Sequence, residues 1–413
     1  MTTLLGLELR DRAVLVVGGG PVAARRIEGM LADGARVRLV SPMVCPELDT
    51  LLAASPAVVW EQRTVLPDDV PGVWLVVTAT GDLTVDREVS RWADEQRVWC
   101  VNASSAADGS ARTPAAVRAE GLVLGVVSEG TADPRRSVRV RDQIRCLIDD
   151  GEVDLRNVRR LPGPGRVILV GGGPGDPALV TVAGRRALAT ADVVVADRLG
   201  PRALLDQLPA DVEVIDVGKA KGHHPVPQEQ INRILVARAA AGSVVVRLKG
   251  GDPLVLGRGG EEVQACRRAG IPVELIPGVS SAVAVPAAAG IPVTHRGVSG
   301  GVHVVTGHGG LTASELVALR TRSATVVVLM GVGNLTGIAR DALDGGVAPE
   351  TPVAIVENGT LPEQRVTRTT LRRVAEEDVA YGTPAVIVLG DVAAMDLRVL
   401  ASEATPSLAA RAG

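Results

Sequence analysis

The stretch Val244-Val-Val-Arg-Leu-Lys-Gly-Gly-Asp-Pro-Leu-Val-Leu-Gly-Arg-Gly-Gly-Glu-Glu262 decides how this chain is read. An apolar run, Val244 to Val246, leads into glycines at 250, 251, 257, 259 and 260, with acid and base on either side. Such a run reads as a buried strand. Its glycine exit lets a ligand approach the backbone, because glycine carries no Cβ and tolerates φ > 0. Two further exits of this kind are Leu15-Val-Val-Gly-Gly-Gly20 and Ile168-Leu-Val-Gly-Gly-Gly-Pro-Gly-Asp176. Together they predict at least two small-molecule sites, on two different α/β units.

The bulk composition bounds the rest. A length of 413 residues suggests two or three domains. There is no Phe, one Tyr and four Trp, so Val, Leu, Ile and Ala must fill the interior. That suits parallel sheets covered by helices. A net charge of −3 and the lack of stacking aromatics disfavour a nucleic-acid binder. The four cysteines, Cys45, Cys100, Cys146 and Cys266, form no C-x-x-C pair, so no structural zinc is expected. No apolar run reaches about 18 residues, and the start carries charge where an export signal needs apolar residues. The expectation is a reduced cytoplasmic protein with no membrane contact.

The first segment alternates strands, at 14–17, 37–40, 73–77 and 98–101, with a helix from Pro21 to about Ala32. Proline suits the first helical turn, where its missing N–H costs little. This βαβ pattern predicts a parallel doubly wound sheet. A strand at 122–127 follows. Then comes a helix to about Ile148, with Asp133 as N-cap and Pro134 at the first position. Leu161-Pro-Gly-Pro-Gly165 reads as a linker. Two more α/β units follow, 166–296 and 302–400.

Gly18-Gly-Gly20-Pro21-Val22-Ala23 fits G-x-G-x-x-A between a strand and a helix, the dinucleotide fingerprint in its expected context. Ser41 stands where the acidic ribose-binding residue would sit. Thr80, at a later strand end, would line the same crevice. The alternative is a tight turn in a nucleotide-free Rossmann unit. Gly171 to Asp176 imitates the same fingerprint but fails it, since Asp176 stands where Gly or Ala is required.

Residues 8–149 resemble the precorrin-2 dehydrogenase and sirohydrochlorin ferrochelatase module. The resemblance is carried by Leu9-Arg-Asp-Arg12, Val16-Val-Gly-Gly-Gly20, Ala79-Thr80 and Cys100-Val-Asn102. Residues 166–400 resemble uroporphyrinogen III C-methyltransferases more strongly. The motifs, in order, include Val170-Gly-Gly-Gly-Pro-Gly-Asp-Pro177, Asp197-Arg-Leu199, Val217-Gly-Lys219 and Pro227-Gln-Glu-Gln-Ile-Asn232. Arg247-Leu-Lys-Gly-Gly-Asp-Pro253, Gly257-Arg-Gly-Gly-Glu-Glu262, Gly290-Ile-Pro-Val-Thr-His-Arg296 and Val356-Glu-Asn-Gly-Thr360 follow. The fusion is the layout of the siroheme synthase family.

That resemblance implies an α/β architecture in three parts. They are a Rossmann-like doubly wound sheet (1–112), a small α+β dimerisation segment with the linker (113–160), and a two-lobed tetrapyrrole methylase domain (161–296 and 297–402). Residues 403–413, small and polar, are expected to form a disordered tail. The implied chemistry is methylation of uroporphyrinogen III by S-adenosylmethionine to precorrin-2, then NAD-dependent oxidation to sirohydrochlorin, with Fe²⁺ as a further substrate. Asp197 is the implied proton acceptor and Lys219 the donor; outside the family they would read as a helix-cap Asp and a surface Lys. The implied methyl-donor site comprises Pro174, Gly250, Gly251, Asp252, Val255, Ser280, Ser281, Met330 and Gly359. The NAD site comprises Gly18, Gly20, Pro21, Val22, Ala23, Met43, Val44 and Thr80. An octacarboxylate substrate calls for arginines, and Arg198, Arg247, Arg258, Arg296 and Arg365 are candidates. His223, His224, His295 and His308 lack metal-like spacing, so no resident metal is expected. A homodimer through 113–160 is expected.

One departure matters. The family places an Asp three residues after Asn102, where it serves dehydrogenation and chelation, and here Ser105 stands in that place. Serine is neither a carboxylate base nor a hard metal ligand at neutral pH; Asp108 is the nearby substitute. Hydride removal depends chiefly on placing the nicotinamide against the tetrapyrrole. The rival readings are a methyltransferase with a non-catalytic N-terminal module, and a tetrapyrrole methylase of other ring-carbon specificity.

Overall fold

The computed structural model describes residues 2–156, 165–218, 226–377 and 379–398. Most of the expected linker, the tail 403–413, Lys219, His223 and His224 lie outside the described residues. The chain divides into two compact units at Cys146/Leu147. Among the described residues, no helix is long and apolar enough to cross a membrane.

The first unit opens with β1 (Ala13–Val17), α1 (Pro21–Ala32), β2 (Arg36–Val40), α2 (Pro46–Ala54) and β3 (Val58–Glu61). β4 (Leu75–Thr78), α3 (Leu83–Glu95) and β5 (Trp99–Asn102) complete its sheet. The order is β3-β2-β1-β4-β5, all parallel. α1 and α2 bury Ala23, Ile27 and Leu48 on one face; α3 buries Val89 and Ala93 on the other. The order in which strands are added therefore reverses between β1 and β4, where ligands bind in open parallel sheets.

Three elements of this sheet escaped the pattern reading, α3 along with α2 and β3. α2 buries only Leu48, and β3 is an edge strand with Val58 buried and Val59 exposed. Neither presents a period long enough to see. The segment after β5 is a hairpin, β6 (Ala115–Ala119) and β7 (Leu122–Val126), of which only the second strand was legible. Its turn, Glu120-Gly121, has positive φ at both residues but lacks the usual Asn-Gly or Asp-Gly signal. α4 (Pro134–Asp149) follows, and its N-terminal Arg136 N–H donates to Asp133 Oδ1 at 2.9 Å.

The second unit contains two sheets. The first is built from β8 (Arg166–Gly171), α5 (Val182–Ala189), β9 (Val193–Ala196), α6 (Arg202–Leu205), β10 (Glu213–Asp216) and α7 (Gln228–Ala240). β11 (Val244–Lys249), α8 (Gly259–Arg268) and β12 (Val273–Ile276) complete it. The order is β10-β9-β11-β8-β12, all parallel. α5 and α6 cover one face; α7 and α8 cover the other. The reversal here falls between β8 and β11.

α9 (Ser281–Ala288) leaves this sheet and packs Ala282 and Val285 against the next one. That second sheet comprises β13 (Gly301–Thr306), α10 (Ala313–Thr321), β14 (Ala324–Leu329), α11 (Leu335–Asp344), β15 (Pro352–Glu357), β16 (Arg365–Thr370), α12 (Leu371–Glu376) and β17 (Ala385–Leu389). Its order is β13-β14-β17-β15-β16. β14 and β15 both run antiparallel to β17, so their carboxyl ends share one edge.

α10 begins with a reciprocal cap. Thr312 N–H donates to Glu315 Oε2 at 2.8 Å, and Ser314 Oγ donates to Oε1 at 2.6 Å. Burial alone would raise the Glu315 carboxyl, but hydrogen bonds from Ser314, Thr312 and His303 outweigh it and bring it down to about 2. A carboxyl held below its usual 4.5 stabilises the fold fully above that pH and loses the contribution as pH falls toward about 2. E315Q should therefore cost about 1 kcal/mol at neutral pH and flatten the decline between those two values. Denaturant titrations of both proteins across the acid range check this.

Candidate active sites

The first site lies at the β1/β4 reversal. Gly18 has φ +114°, and a Cβ there would lie 2.3 Å from Ala79 O. A Cβ on Gly19 would strike Met43 O. Gly20 differs: a Cβ there meets nothing within 4 Å. Gly20 is also the N-cap of α1, with no side chain satisfying the first turn. Gly18 and Gly19 are thus filled by protein, while Gly20 and the exposed Val22 border free space ahead of unsatisfied helix N–H groups. That arrangement suits a pyrophosphate. Pro21 and Ala23 lie in the same turn, Ala23 buried beneath it. Met43 is exposed at the rim, and Val44 packs into the core under it. Ser41 is buried and donates to Met43 O at 2.7 Å, so it shapes the loop and does not face a ribose.

Thr80 sits across the reversal from Gly20, on a carboxylate that the sequence did not single out. Asp86, on α3, is fully buried. It accepts from Thr80 Oγ1 at 2.7 Å, from Thr80 N–H at 3.1 Å, and from the hydroxyls of Thr78 and Ser104. Burial alone would raise its carboxyl; hydrogen bonds from Ser104, Thr78 and Thr80 outweigh that and hold it below the usual carboxylate range. Asn102 joins the cluster. Its Nδ2 donates to Asp86 O at 3.1 Å and Ser90 Oγ at 3.0 Å, while its Oδ1 accepts from Ser104 N–H at 3.0 Å and Ser105 N–H at 2.8 Å. One buried carboxylate thereby ties the exits of β4 and β5 together. An acid in a helix first turn is ordinary on dipole grounds alone, so nothing in the local pattern marks it. Asp108 N–H donates to Ser105 O at 3.2 Å, which puts both on one turn, and the Asp108 carboxylate faces Arg87 at 3.3 Å.

The second site lies at the β8/β11 reversal. Gly171, Gly251 and Gly278 meet there: a Cβ on Gly171 would lie 2.4 Å from Gly278 Cα and 2.8 Å from Gly251 O. Gly173 and Gly251 exchange hydrogen bonds of 3.2 and 2.6 Å. Asp252 closes the seam, accepting from Leu254 N–H at 2.8 Å and Gly278 N–H at 3.0 Å. Past Gly173 the chain enters a 3₁₀ turn at 177–179, and the next α-helix, α5, starts at Val182. Gly250 packs on Leu199, Val255 is exposed on the loop beyond, and Ser280 caps α9 just ahead of Ser281. The second sheet closes on this edge. Thr360 Oγ1 accepts from Asp176 N–H at 3.3 Å, Gly175 lies against Leu361, and Gly359 lies against Val285. Pro174 is half-buried beside these contacts. Met330 (φ +55°, half exposed) ends β14 at the edge shared with Gly359.

Asp197 follows β9 at the same edge. Its Oδ1 accepts from Arg247 Nη2 at 2.6 Å, and Lys249 Nζ lies 3.9 Å from its Oδ2. Behind them Glu262, fully buried, takes Arg247 Nε at 3.0 Å, Gln228 Nε2 at 3.1 Å and Lys249 Nζ at 3.2 Å, all on Oε1. Burial, with the Arg247 charge beside it, pushes the Lys249 ammonium down against the pull of Glu262 and Asp197. This corrects one expectation: Arg247 is 1% exposed and also donates to Val195 O and Leu248 O, so it cannot meet substrate carboxylates. Arg258 is paired with Glu261 at 2.8 Å. Arg198, Arg296 and Arg365 remain exposed. Among the described residues no His/Cys/Asp/Glu group could hold a metal ion.

The Asp86 cluster makes a measurable claim. D86N keeps the shape but sets an NH₂ among hydroxyl and amide donors. It should destabilise the first unit by about 3 kcal/mol. Faster hydrogen exchange across β4 and β5, with the second unit unchanged, would report it; unchanged exchange would refute it.

Residues 166–375 match the family of tetrapyrrole (corrin/porphyrin) methylases, and residues 5–115 match a putative NAD(P)-binding family. Siroheme synthase 1 of Aeromonas hydrophila is 33% identical over 446 residues, spanning 93% of this chain and 94% of its own. The siroheme synthase of Xylella fastidiosa is 34% identical over 447 residues, spanning 94% and 93%. Among solved structures, the uroporphyrin III C-methyl transferase of Thermus thermophilus aligns with 55% of this chain and 98% of its own at 44% identity, with a TM-score of 0.48. The siroheme synthase matches run through both units, and the chain belongs to the siroheme synthase family.

Proposed function

We propose that this chain converts uroporphyrinogen III to precorrin-2 in its second unit and precorrin-2 to sirohydrochlorin in its first. The observation that carries this reading is the match to siroheme synthases over 93% of the chain, with a glycine-built crevice at the reversal of each parallel sheet.

In the second unit, bound S-adenosylmethionine supplies an electrophilic methyl group, taken by the electron pair of a tetrapyrrole carbon. The glycine seam, Asp252 and the Ser280–Ser281 turn hold the donor against the crevice, with Pro174, Met330 and Gly359 closing it. Each methyl gained as CH₃⁺ is matched by one net proton lost: Asp197 takes the protons that the methylated ring sheds, and Lys219 returns one only where the ring's double bonds shift and a further proton leaves. The Asp197 side chain is 29% exposed, so it reaches substrate while two cations hold it from behind. Holding both reactants in line supplies much of the rate. Arg198, Arg296 and Arg365 receive substrate carboxylates.

In the first unit, bound NAD supplies the hydride acceptor. Gly18 to Ala23 hold the pyrophosphate on the α1 N-terminus, with Met43, Val44 and Thr80 bordering the nucleotide. Fe²⁺ insertion, the family's further reaction, meets a turn whose expected carboxylate is Ser105 and whose nearest one, Asp108, faces Arg87. We therefore assign sirohydrochlorin as the main product. The exposed Leu122, Val123, Val138 and Val140 on β7 and α4 support a homodimer through that segment. Sedimentation of L122E/V123E against wild type tests it; a monomeric wild type rejects it.

One anaerobic assay of the full chain with precorrin-2, NAD and Fe²⁺ tests the first unit. Wild type should form NADH and sirohydrochlorin with little siroheme, and S105D should raise siroheme output. G20A should keep the wild-type unfolding profile, since its Cβ enters open space, yet weaken NAD binding by about tenfold or more. NAD binding without NADH formation would favour the reading in which the first unit only binds and dimerises.

A further inference from the structure

We propose that Glu262 is a positioning residue for methyl transfer, acting through Lys249 and Arg247 on the Asp197 carboxylate. This rests on the reading of Asp197 as proton acceptor. Four charged groups from three segments meet at the floor of the crevice: Asp197 after β9, Arg247 and Lys249 on β11, and Glu262 in the first turn of α8. Two cations face two carboxylates, so the set is neutral while every member is ionised. Only Asp197 reaches the surface; the side chains of Arg247, Lys249 and Glu262 are 2%, 5% and 0% exposed.

The hydrogen bonds are unevenly shared. Glu262 Oε1 takes three donors, while Oε2 is buried with no hydrogen-bond partner among the described residues. A carboxylate kept in so poor a setting acts as an anchor for its donors. Lys249 Nζ sits 3.2 Å from Glu262 and 3.9 Å from Asp197. It is therefore hydrogen-bonded to the inner carboxylate and only ion-paired with the outer one. Asp197 Oδ2 thus accepts no hydrogen bond among the described residues, while Arg247 fixes Oδ1.

Removing the inner charge changes the sharing. With glutamine at 262, Lys249 has a single carboxylate left within reach, and a buried ammonium moves to its remaining counter-ion. It then hydrogen-bonds Asp197 Oδ2 and occupies the oxygen that receives the substrate proton. The helix start favours an acid at 262 on dipole grounds alone. That does not account for both cations of β11 converging on it, or for their second contacts falling on the same outer carboxylate.

The test uses the full-length chain. E262Q should lower kcat for uroporphyrinogen III methylation about tenfold or more, with KM for S-adenosylmethionine within about twofold of wild type. Oxidation of supplied precorrin-2 by the same preparation should be unchanged, which reports an intact chain. E262D, which keeps the charge, should recover part of kcat. D197N should be slower still, and E262Q/D197N no slower than D197N, because residues acting as a unit are non-additive. Wild-type kcat in folded E262Q overturns the proposal. So does full additivity with D197N, which would leave Glu262 a structural residue. Wild-type kcat in D197N instead removes the reading of Asp197 itself, and the proposal with it. Should E262Q fail to fold, E262D carries the same comparison with D197N, with a smaller loss and the same non-additivity.

Discussion

The second unit depends on one steric constraint: three backbone segments at the carboxyl edge of its parallel sheet touch without side chains between them. A single methyl on Gly171 would overlap the backbone of Gly278 and crowd that of Gly251. Only glycine allows approach this close. Because β8, β11 and the turn after β12 converge there, the loops beyond them are directed outward together. One carries Asp176 to Thr360 on the neighbouring sheet, and another carries α9 onto that sheet's face. The crevice, the closure of one lobe over it and the place of Asp197 all follow from that contact.

The two units hold buried carboxylates by opposite means. Around Asp86 the donors are neutral hydroxyls and amides, so the acid stays ionised without a counter-ion and links two loop exits. Around Glu262 the donors include two cations, and their charge is shared with an acid at the surface. A neutral cage is suited to fixing a loop. A shared ionic set passes any change in one member to the next, because removing one partner leaves an uncompensated buried charge, at a cost of about 3–5 kcal/mol.

Much of this was legible along the chain. The strand before each glycine run, the Pro21 start of α1 and the Asp133 cap of α4 are local statements, in which neighbouring residues decide backbone geometry. The failed fingerprint at Gly171–Asp176 was equally local. Elements with one buried side chain, such as α2 and β3, were silent because their place is set by the sheet edge they cover and by no period of their own. The hairpin was half legible because Glu120-Gly121 adopts its turn without the usual residues.

The sequence by itself determined the fold class, the family and the order of the two sites, because these rest on strand–glycine–helix patterns only a few residues long. Tertiary structure alone decided which charges face the ligand. Arg247 lies in a motif and looks like a substrate contact, yet β9 and α8 enclose it. Ser41 occupies a ribose position and turns instead to its own loop. Lys249, Glu262 and Asp86 draw their roles from partners on other elements, Lys249 from Asp197 at the exit of β9. A residue's charge is written in the sequence, but its partner is set by which strands lie side by side, and that is decided by the packing of apolar faces.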